Sequence, residues 1–164
     1  MDIISLGSKL NIWAKLAINN FGYLGIFLTS FISSASIIFP IPAFVIIPAT
    51  AALPSMNPFI VTIFAGLGSA LGESLGYGLG KGSKKILEKK YSKQINRYRK
   101  MLEKGNIFIW IIIFAATPLP DDVIGIISGL MDYEFKKFFI ATLIGKILLN
   151  LFLALGGFYL FQQI

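Results

Sequence analysis

The sequence predicts an all-α integral membrane protein with a single domain over residues 1–164. Hydrophobic residues make up 55% of the chain, and the mean hydropathy is +0.76, more than the surface of a water-soluble protein tolerates. From Leu16 to Gly72 the chain carries no Asp, Glu, Lys or Arg. A soluble domain needs a polar outer face, so this run indicates contact with lipid. Backbone groups in lipid must be paired within their own segment, so each apolar stretch is predicted to be helical.

Three apolar stretches follow along the chain. The first runs from about Phe21 to Leu53 and is expected to be broken by its prolines, Pro40, Pro42, Pro48 and Pro54. Phe59–Gly80 is long enough to span a bilayer. Phe138–Phe161 is long enough as well, with one charge, Lys146, inside it. In a competing layout, about Trp13–Thr29 forms a further span.

The region between the last two spans predicts a re-entrant hairpin. Asn106–Ala116 would form a helix of about 17 Å, roughly half a bilayer, and Val123–Met131 is similarly short. Between them, Thr117-Pro118-Leu119-Pro120-Asp121-Asp122 cannot continue a helix, because proline removes backbone donors and clashes with the preceding turn. Two half-helices with a proline-bearing tip are tolerated at membrane depth only where protein or water covers them.

The first half of the chain repeats this plan. Phe39-Pro40-Ile41-Pro42 aligns with Thr117-Pro118-Leu119-Pro120, and further on four residues align with four others: Gly68, Ser69, Glu73 and Gly80 with Gly145, Lys146, Asn150 and Gly157. We predict two repeats, about residues 5–80 and 84–162, each with an interfacial amphipathic helix, a re-entrant helical hairpin and a transmembrane helix. Each repeat crosses once, so the second is inverted, as in many transporters. The alternative is chance similarity between apolar segments.

A basic loop sets the predicted orientation. Residues 81–104 contain ten Lys or Arg residues and two Glu residues. By the positive-inside rule, we expect a multi-pass protein of the cell membrane with this loop in the cytoplasm. Nucleic acid is not an expected partner, since no base-stacking platform accompanies the charge. Docking of partner proteins on this loop is one alternative role.

The residue types that are absent exclude several kinds of chemistry. The chain has no Cys and no His, which excludes disulfides, zinc sites built on Cys or His, and His-based acid–base catalysis. The glycine-rich run Gly76–Gly80 ends a predicted helix, whereas a phosphate-binding loop begins one. We therefore expect no enzymatic activity, no cofactor and no metal.

Few ionisable residues fall at the predicted membrane depth, and each costs about 2.5–3.5 kcal/mol at a helix centre. Glu73 and Lys146 either form an ion pair that locks the repeats together, or titrate or bind a headgroup during transport. One of Asp121 and Asp122 is expected to cap the following helix. The other is a candidate for proton or cation binding, because adjacent ionised carboxylates repel. With Asn150 these residues form the predicted transport path or substrate-binding site.

Glycines at four-residue spacing form a predicted packing stripe, in which small residues let another helix approach closely. The predicted packing residues are Gly68, Gly72, Gly76, Tyr77 and Gly80 in the first repeat, and Gly145 in the second. The stripe fits packing within the chain and packing between copies in a homo-oligomer.

These motifs, in this order, resemble the DedA family of membrane proteins, also called the VTT domain or SNARE-associated Golgi protein family. Three segments carry the resemblance: Gly72-Glu73-x-x-x-Tyr77-x-x-Gly80; Thr117-Pro118-Leu119-Pro120-Asp121-Asp122-x-Ile124-Gly125-x-x-x-Gly129; and Phe138-Phe139-x-Ala141-Thr142-Leu143-Ile144-Gly145-Lys146. The last is most similar to the vacuole membrane protein branch.

The resemblance implies a lipid-handling role with membrane lipids as partners. Eukaryotic relatives are phospholipid scramblases, and bacterial ones are linked to recycling of polyprenyl-phosphate carriers and to proton-dependent membrane homeostasis. The arginines that the bacterial pattern places around the second hairpin are missing here, which favours passive exchange. The sequence thus predicts a phospholipid or polyprenyl-phosphate scramblase or flippase, and the alternative is a proton- or ion-coupled secondary transporter.

Overall fold

The described residues form a bundle of two long helices and four shorter ones. The computed structural model describes residues 16, 18–35, 43–84, 92, 95–96, 99–100, 105–117 and 122–161, without the side chains of 43–45, 122, 160 and 161. The helices are α1 (Tyr23–Ala35), α2 (Ala43–Ala51), α3 (Pro58–Gly82), α4 (Ile107–Ala115), α5 (Asp122–Leu130) and α6 (Phe135–Phe161). At 1.5 Å per residue, α3 and α6 extend about 38–40 Å, whereas α2, α4 and α5 extend about 14 Å each.

The two long helices are the predicted spans. Within the described part of the chain, Pro58–Gly82 and Phe135–Tyr159 are long and apolar enough to cross a membrane. Asn57 caps α3 by accepting a 2.9 Å hydrogen bond from the Phe59 amide, and Pro58 fits the first turn, where no amide donor is needed. Large apolar side chains point outward along both helices, among them Phe59, Ile63, Leu71, Leu75, Leu79, Ile140, Ile144, Leu148 and Phe152.

Helix α1 packs along the first half of α3. It begins beside the start of α3, where the Tyr23 hydroxyl accepts a 2.8 Å hydrogen bond from the Asn57 amide. It ends at Ala35, whose backbone lies directly against Gly72 in the middle of α3. Helix α2 then packs mainly on α6, with the backbone of Pro48 against Gly157. A short connection leads from Ala51 back to Asn57 and the start of α3.

The second half shows the matching arrangement around α6. Helix α4 packs on α6, and its last residue, Ala115, lies against Gly145 near the middle of that helix. Helix α5 packs on α3 and runs toward its C-terminal end, where Lys84 forms an ion pair with Asp132. In each half, therefore, the first short helix packs on the long helix of its own half, and the second packs on the long helix of the other half.

One sequence-based expectation needs correction. Pro48 does not break the first stretch, because α2 continues through it to Ala51; neighbouring helices can cover the backbone groups that a proline leaves unpaired. The competing layout, a further span over about Trp13–Thr29, includes residues 13–15 and 17, which lie outside the described part of the chain, and it stays a prediction. Gly22 adopts a left-handed φ of 56° and separates the helical residues before it from α1. Most of the predicted interfacial helices, Trp13 included, lies outside the described residues.

Candidate functional site

A buried polar seam runs between α3 and α6, which cross the bundle antiparallel. On α3, Ser69, Glu73 and Tyr77 follow one another at four-residue spacing and are each no more than 5% exposed. On α6, three more polar residues share one face at the same spacing and are no more than 7% exposed: Thr142, Lys146 and Asn150. Four-residue spacing places side chains above one another on a helix. We call these six residues the seam.

An ion pair between Glu73 and Lys146 lies at the centre of the seam. Glu73 is 4% exposed and Lys146 7% exposed. Along its helix of about 40 Å, Glu73 lies about 14 Å from the C-terminal end of α3. Lys146 lies about 16 Å from the N-terminal end of α6, which is about as long. Two opposite charges removed from water stabilise one another only when closely paired, and here each side chain supplies the partner that the other requires.

Asn150 lies one turn beyond Lys146. Its side-chain amide donates a 2.8 Å hydrogen bond to the Lys146 carbonyl oxygen. On α3, Ser69 lies one turn before Glu73 and is also buried. The seam thus continues as neutral polar groups beyond the ion pair.

A narrow crevice opens on the seam beside Glu73. Its empty volume is about 160 Å³, including the space at its mouth, and it is too narrow to hold a water molecule in this conformation. The lining comes from four helices and consists of Glu73, Ile111, Phe114, Ala115, Ile124, Gly125, Phe138 and Thr142. Thr142 is fully buried, and its hydroxyl has no hydrogen-bond partner among the described residues.

At the basic-loop end, polar contacts hold α3 against the α5–α6 connection. The Tyr77 hydroxyl donates a 2.5 Å hydrogen bond to the Tyr133 carbonyl oxygen, and its ring packs on Phe138 at 5.0 Å between centroids. The hydrogen bond and charge of Lys84 lower the pKa of Asp132. Partial burial raises the pKa of the Tyr133 phenol.

The predicted packing glycines contact helices of the same chain. Gly68 and Gly72 lie on the backbone of α1, Gly80 lies on Ile126 of α5, and Gly145 lies on Ile112 and Ala115 of α4. Gly76 is buried on the same face of α3. A Cβ at any of the four contacting positions would overlap backbone atoms of the neighbouring helix. The stripe therefore serves packing within the chain.

The structure does not describe most of the predicted hairpin tips. Pro40, Pro42, Pro118, Pro120 and Asp121 lie outside the described residues, as does the side chain of Asp122. Thr117 is described, and its hydroxyl donates 3.0 and 3.1 Å hydrogen bonds to the Ile113 and Phe114 carbonyl oxygens. The structure thus brings Glu73, Lys146 and Asn150 together and leaves the role of the two aspartates a prediction.

Sequence reasoning did not single out Thr142 and Phe138. Both share a face of α6 with Lys146, since the residues Phe138, Thr142, Lys146 and Asn150 are spaced by four. That spacing was visible in the sequence. It carried no signal because threonine and phenylalanine are ordinary constituents of a membrane helix, and only the structure shows that both line the crevice together with Glu73.

One comparison with known proteins gives a match. The family model of the VTT domain matches residues 39–159. No curated protein and no solved structure matches the sequence, so the finer similarity to the vacuole membrane protein branch has no support from relatives. The match covers α2 to α6 and the seam between them. Because it extends over most of the chain and the outward faces of both long helices are apolar, this chain belongs to the VTT-domain family and is a DedA-type membrane protein.

Proposed function

We propose that this protein is a membrane lipid transporter, a scramblase or flippase that moves phospholipids or polyprenyl phosphates between leaflets without consuming a nucleotide. The observation that supports this best is the Glu73–Lys146 ion pair, buried between the two long helices far from either helix end. Ionisable groups at such depth commonly line transport routes. The proposal requires no covalent step, so the protein would not be an enzyme.

An inverted-repeat architecture is part of the proposal, and the helix contacts support it. If α1–α3 and α4–α6 are equivalent repeats, the packing of α1 on α3 should recur as the packing of α4 on α6. The packing of α2 on α6 should likewise recur as the packing of α5 on α3. All four packings are present. Close glycine contacts recur as well, because Gly80 lies on Ile126 and Gly157 lies on Pro48. In the repeat alignment Gly80 corresponds to Gly157 and Pro48 to Ile126, so the two contacts are equivalent.

Re-entrant hairpins are the second part. Helix α1 begins and α2 ends at the N-terminal end of α3, whereas α5 ends beside Lys84 at the opposite end. Helix α4 ends near the middle of α6, beside Gly145. Each short pair would therefore enter and leave by one side, the first from outside and the second from the cytoplasm, where residues 81–104 would lie.

The mechanism follows from this arrangement. Two half-crossings shorten the distance that a headgroup must travel through hydrocarbon, and the seam offers polar partners where they meet. We propose that opening of the crevice admits the headgroup to Glu73, Lys146 and Asn150, while the acyl chains stay in lipid. Asp121 and Asp122 would contribute at the tip of the second hairpin.

Reconstitution into liposomes tests this proposal. The purified protein should accelerate leaflet exchange of tail-labelled phospholipids above protein-free liposomes, measured by dithionite quenching. Exchange should fall at least about tenfold in a Glu73→Gln, Lys146→Gln double variant that neutralises both charges. Leu75→Ala, which changes an exposed residue of α3, is the matched control. Wild-type exchange no faster than in empty liposomes would remove the proposal.

A second candidate is proton- or ion-coupled secondary transport, which the buried carboxylate of Glu73 favours. A carboxylate that exchanges its partner during transport can bind a proton in the unpaired state. Lipid exchange measured with and without an imposed proton gradient separates the two candidates. Rates that collapse with a protonophore indicate coupling, and rates that do not change indicate passive exchange.

A further inference from the structure

We infer that one end of the bundle is a binding surface for anionic phospholipids, which stay in the leaflet around it and are not carried across. This end, which we call the basic end, is where α3 stops and α6 begins. Its surface is formed by exposed lysines of three elements: Lys81 of α3, Lys100 of the basic loop and Lys136 of α6. None of them lines the crevice, and the inference does not rest on lipid transport.

An apolar stripe on α6 leads directly to one of these lysines. Ile140, Ile144, Leu148 and Phe152 follow one another at four-residue spacing and are 39–78% exposed, so this stripe faces hydrocarbon. Lys136 occupies the next position of the stripe, one turn before Ile140, and is also exposed. A lysine stem lies along apolar surface while its ammonium reaches the polar boundary. Lys136 therefore presents its charge where hydrocarbon gives way to headgroups.

Helix α3 brings a second exposed lysine to the same end. The Tyr77 ring packs on the Phe135 ring at 5.3 Å between centroids, and Lys84, just past the end of α3, forms an ion pair with Asp132. Lys81 lies between these two contacts, in the last turn of α3, and is exposed. The ends of both long helices thus carry exposed positive charge on the same side of the molecule.

The acidic residues of the α5–α6 connection do not cancel this charge. Asp132 pairs with Lys84, and Glu134 pairs with Lys137 at 2.8 Å. Each described acid of the connection therefore has a lysine of its own, and the charges of the three surface lysines are in excess. At the opposite end of α3, the connection formed by residues 52–57 carries no charge. The asymmetry favours anions at the basic end.

The basic loop adds charge on an exposed face. Ser92, Asn96 and Lys100 are each helical, share one face at four-residue spacing and are exposed, whereas Ile95 is only 6% exposed. Three- and four-residue spacing back from Lys100 predicts further cations on the exposed face. These lie outside the described residues and are Lys89, Lys93 and Arg97.

The position of these lysines favours lipid over other anions. Lys136 follows the lipid-facing stripe of α6, and Lys81 comes two residues after Leu79, which is 57% exposed. Attraction between exposed charges persists over about 8 Å at physiological salt, and each basic residue near an anionic membrane adds to it. A zwitterionic headgroup carries a cation beside its phosphate, so a net-negative headgroup gains more from the excess charge. The basic end should therefore gather anionic phospholipids in preference to phosphatidylcholine.

Fluorescence quenching at a single cysteine tests the inference. The chain has no cysteine, so Gly78→Cys can carry the only fluorophore; Gly78 is exposed, with nothing within 4 Å of its Cβ position. Ile63→Cys, at an exposed position near the other end of α3, is the matched control. The full chain is placed in phosphatidylcholine nanodiscs that contain a small fraction of brominated phosphatidylglycerol or of brominated phosphatidylcholine as the quencher.

The basic end should enrich the anionic quencher near position 78. We expect brominated phosphatidylglycerol to quench there at least about threefold more strongly than brominated phosphatidylcholine at the same mole fraction. At position 63 the two lipids should quench equally. The preference at position 78 should disappear in about 1 M NaCl, where the Debye length is about 3 Å. Equal quenching at position 78, or the same preference at position 63, would overturn the inference.

Two double variants in the Gly78→Cys protein link the preference to the surface lysines. Lys81→Gln with Lys136→Gln removes two exposed cations and should reduce the preference to less than about half. Glu134→Gln with Lys137→Gln removes an ion pair of the same end without a change in net charge, and should leave the preference intact. An undiminished preference in the first variant, or an equal loss in both, would contradict the assignment.

A soluble acidic protein is the other occupant that this charge would suit. Polyglutamate is therefore added to the nanodiscs, which expose both membrane faces, at constant ionic strength. We expect the lipid preference at position 78 to persist, because the lipids are held beside the lysines by the bilayer itself. Loss of the preference would identify a soluble acidic chain as the better occupant and overturn the lipid assignment.

Discussion

At the scale of single residues, the ion pair between Glu73 and Lys146 is the feature that a membrane helix would otherwise avoid. Each charge costs about 2.5–3.5 kcal/mol near the middle of a bilayer, and replacement of a buried pair by apolar residues is often neutral or stabilising. Both residues are nevertheless present, and they are the only charged residues of the seam. The proposed lipid transport accounts for their presence, because a headgroup that crosses the membrane needs polar partners at this depth.

Removal of one member of the pair should therefore be worse than removal of both. We expect Lys146→Met to lower the free energy of unfolding by about 3–5 kcal/mol, because Glu73 is left without its partner. Adding Glu73→Met should recover most of that loss. Unfolding of the single and double variants in detergent gives the coupling energy. Additivity of the two single effects within about 0.5 kcal/mol would mean that the pair is not coupled.

Asp132 gives a prediction for pH dependence. Its pKa is lowered by Lys84, so the ion pair stabilises the fold above the unfolded-state value of about 3.9 and ceases to do so as pH falls through the lower folded-state pKa. Both side chains are exposed enough that the effect should be small.

The control for this pair is Asp132→Asn, since asparagine tolerates the positive φ of 53° at this position. The stability difference between wild type and variant should be constant from pH 7 to about pH 5 and should vanish at the acid end. Thermal unfolding across this range measures it. A difference that persists below pH 2, or that first develops above pH 6, would show that another group is responsible.

At the scale of helices, close backbone contacts at glycine hold the short helices to the long ones. Gly80 meets Ile126 of α5, and Gly157 meets Pro48 of α2. Membrane helices have no hydrophobic drive to associate, so small residues that permit dense packing contribute much of their attraction. The cross-packing of α2 and α5 therefore depends on these glycines.

Each glycine has a matched control close to it on its own helix. Gly80→Ala and Gly157→Ala should destabilise the protein by at least about 2 kcal/mol, because the added Cβ overlaps backbone atoms of the partner helix. Gly78→Ala and Gly156→Ala meet nothing within 4 Å and should be neutral or stabilising by up to about 1 kcal/mol. Unfolding of the four variants in one detergent tests this, and equal effects within each pair would contradict it.

The helices themselves were largely predictable from apolarity and proline. The predicted half-helix Asn106–Ala116 corresponds to Ile107–Ala115, and Val123–Met131 to Asp122–Leu130. The start of α6 was placed three residues late, at Phe138, because the exposed Lys136 and Lys137 form part of the helix's first turn. Apolarity alone cannot detect such polar first turns.

The crevice could not be predicted, because it requires the relative placement of four helices.

At the scale of the whole molecule, the proposed function depends on how the two halves face each other. The pairing of Glu73 with Lys146 joins one long helix to the other, and each short pair contributes one helix to the opposite half. In an inverted arrangement, these contacts converge on the middle of the bilayer. A conformational change that separates α4 and α5 from the seam would open the crevice without dismantling either half.

The most direct test of this account is the sidedness of three positions in the membrane. The chain has no cysteine, so Ser55→Cys, Lys100→Cys and Glu134→Cys, all at exposed positions, can be labelled one at a time with a membrane-impermeant maleimide. The account predicts that Ser55→Cys reacts in intact cells, and that Lys100→Cys and Glu134→Cys react only after permeabilisation. Labelling of residues 100 and 134 from opposite sides would show that α4 and α5 together cross the bilayer, and would contradict the account.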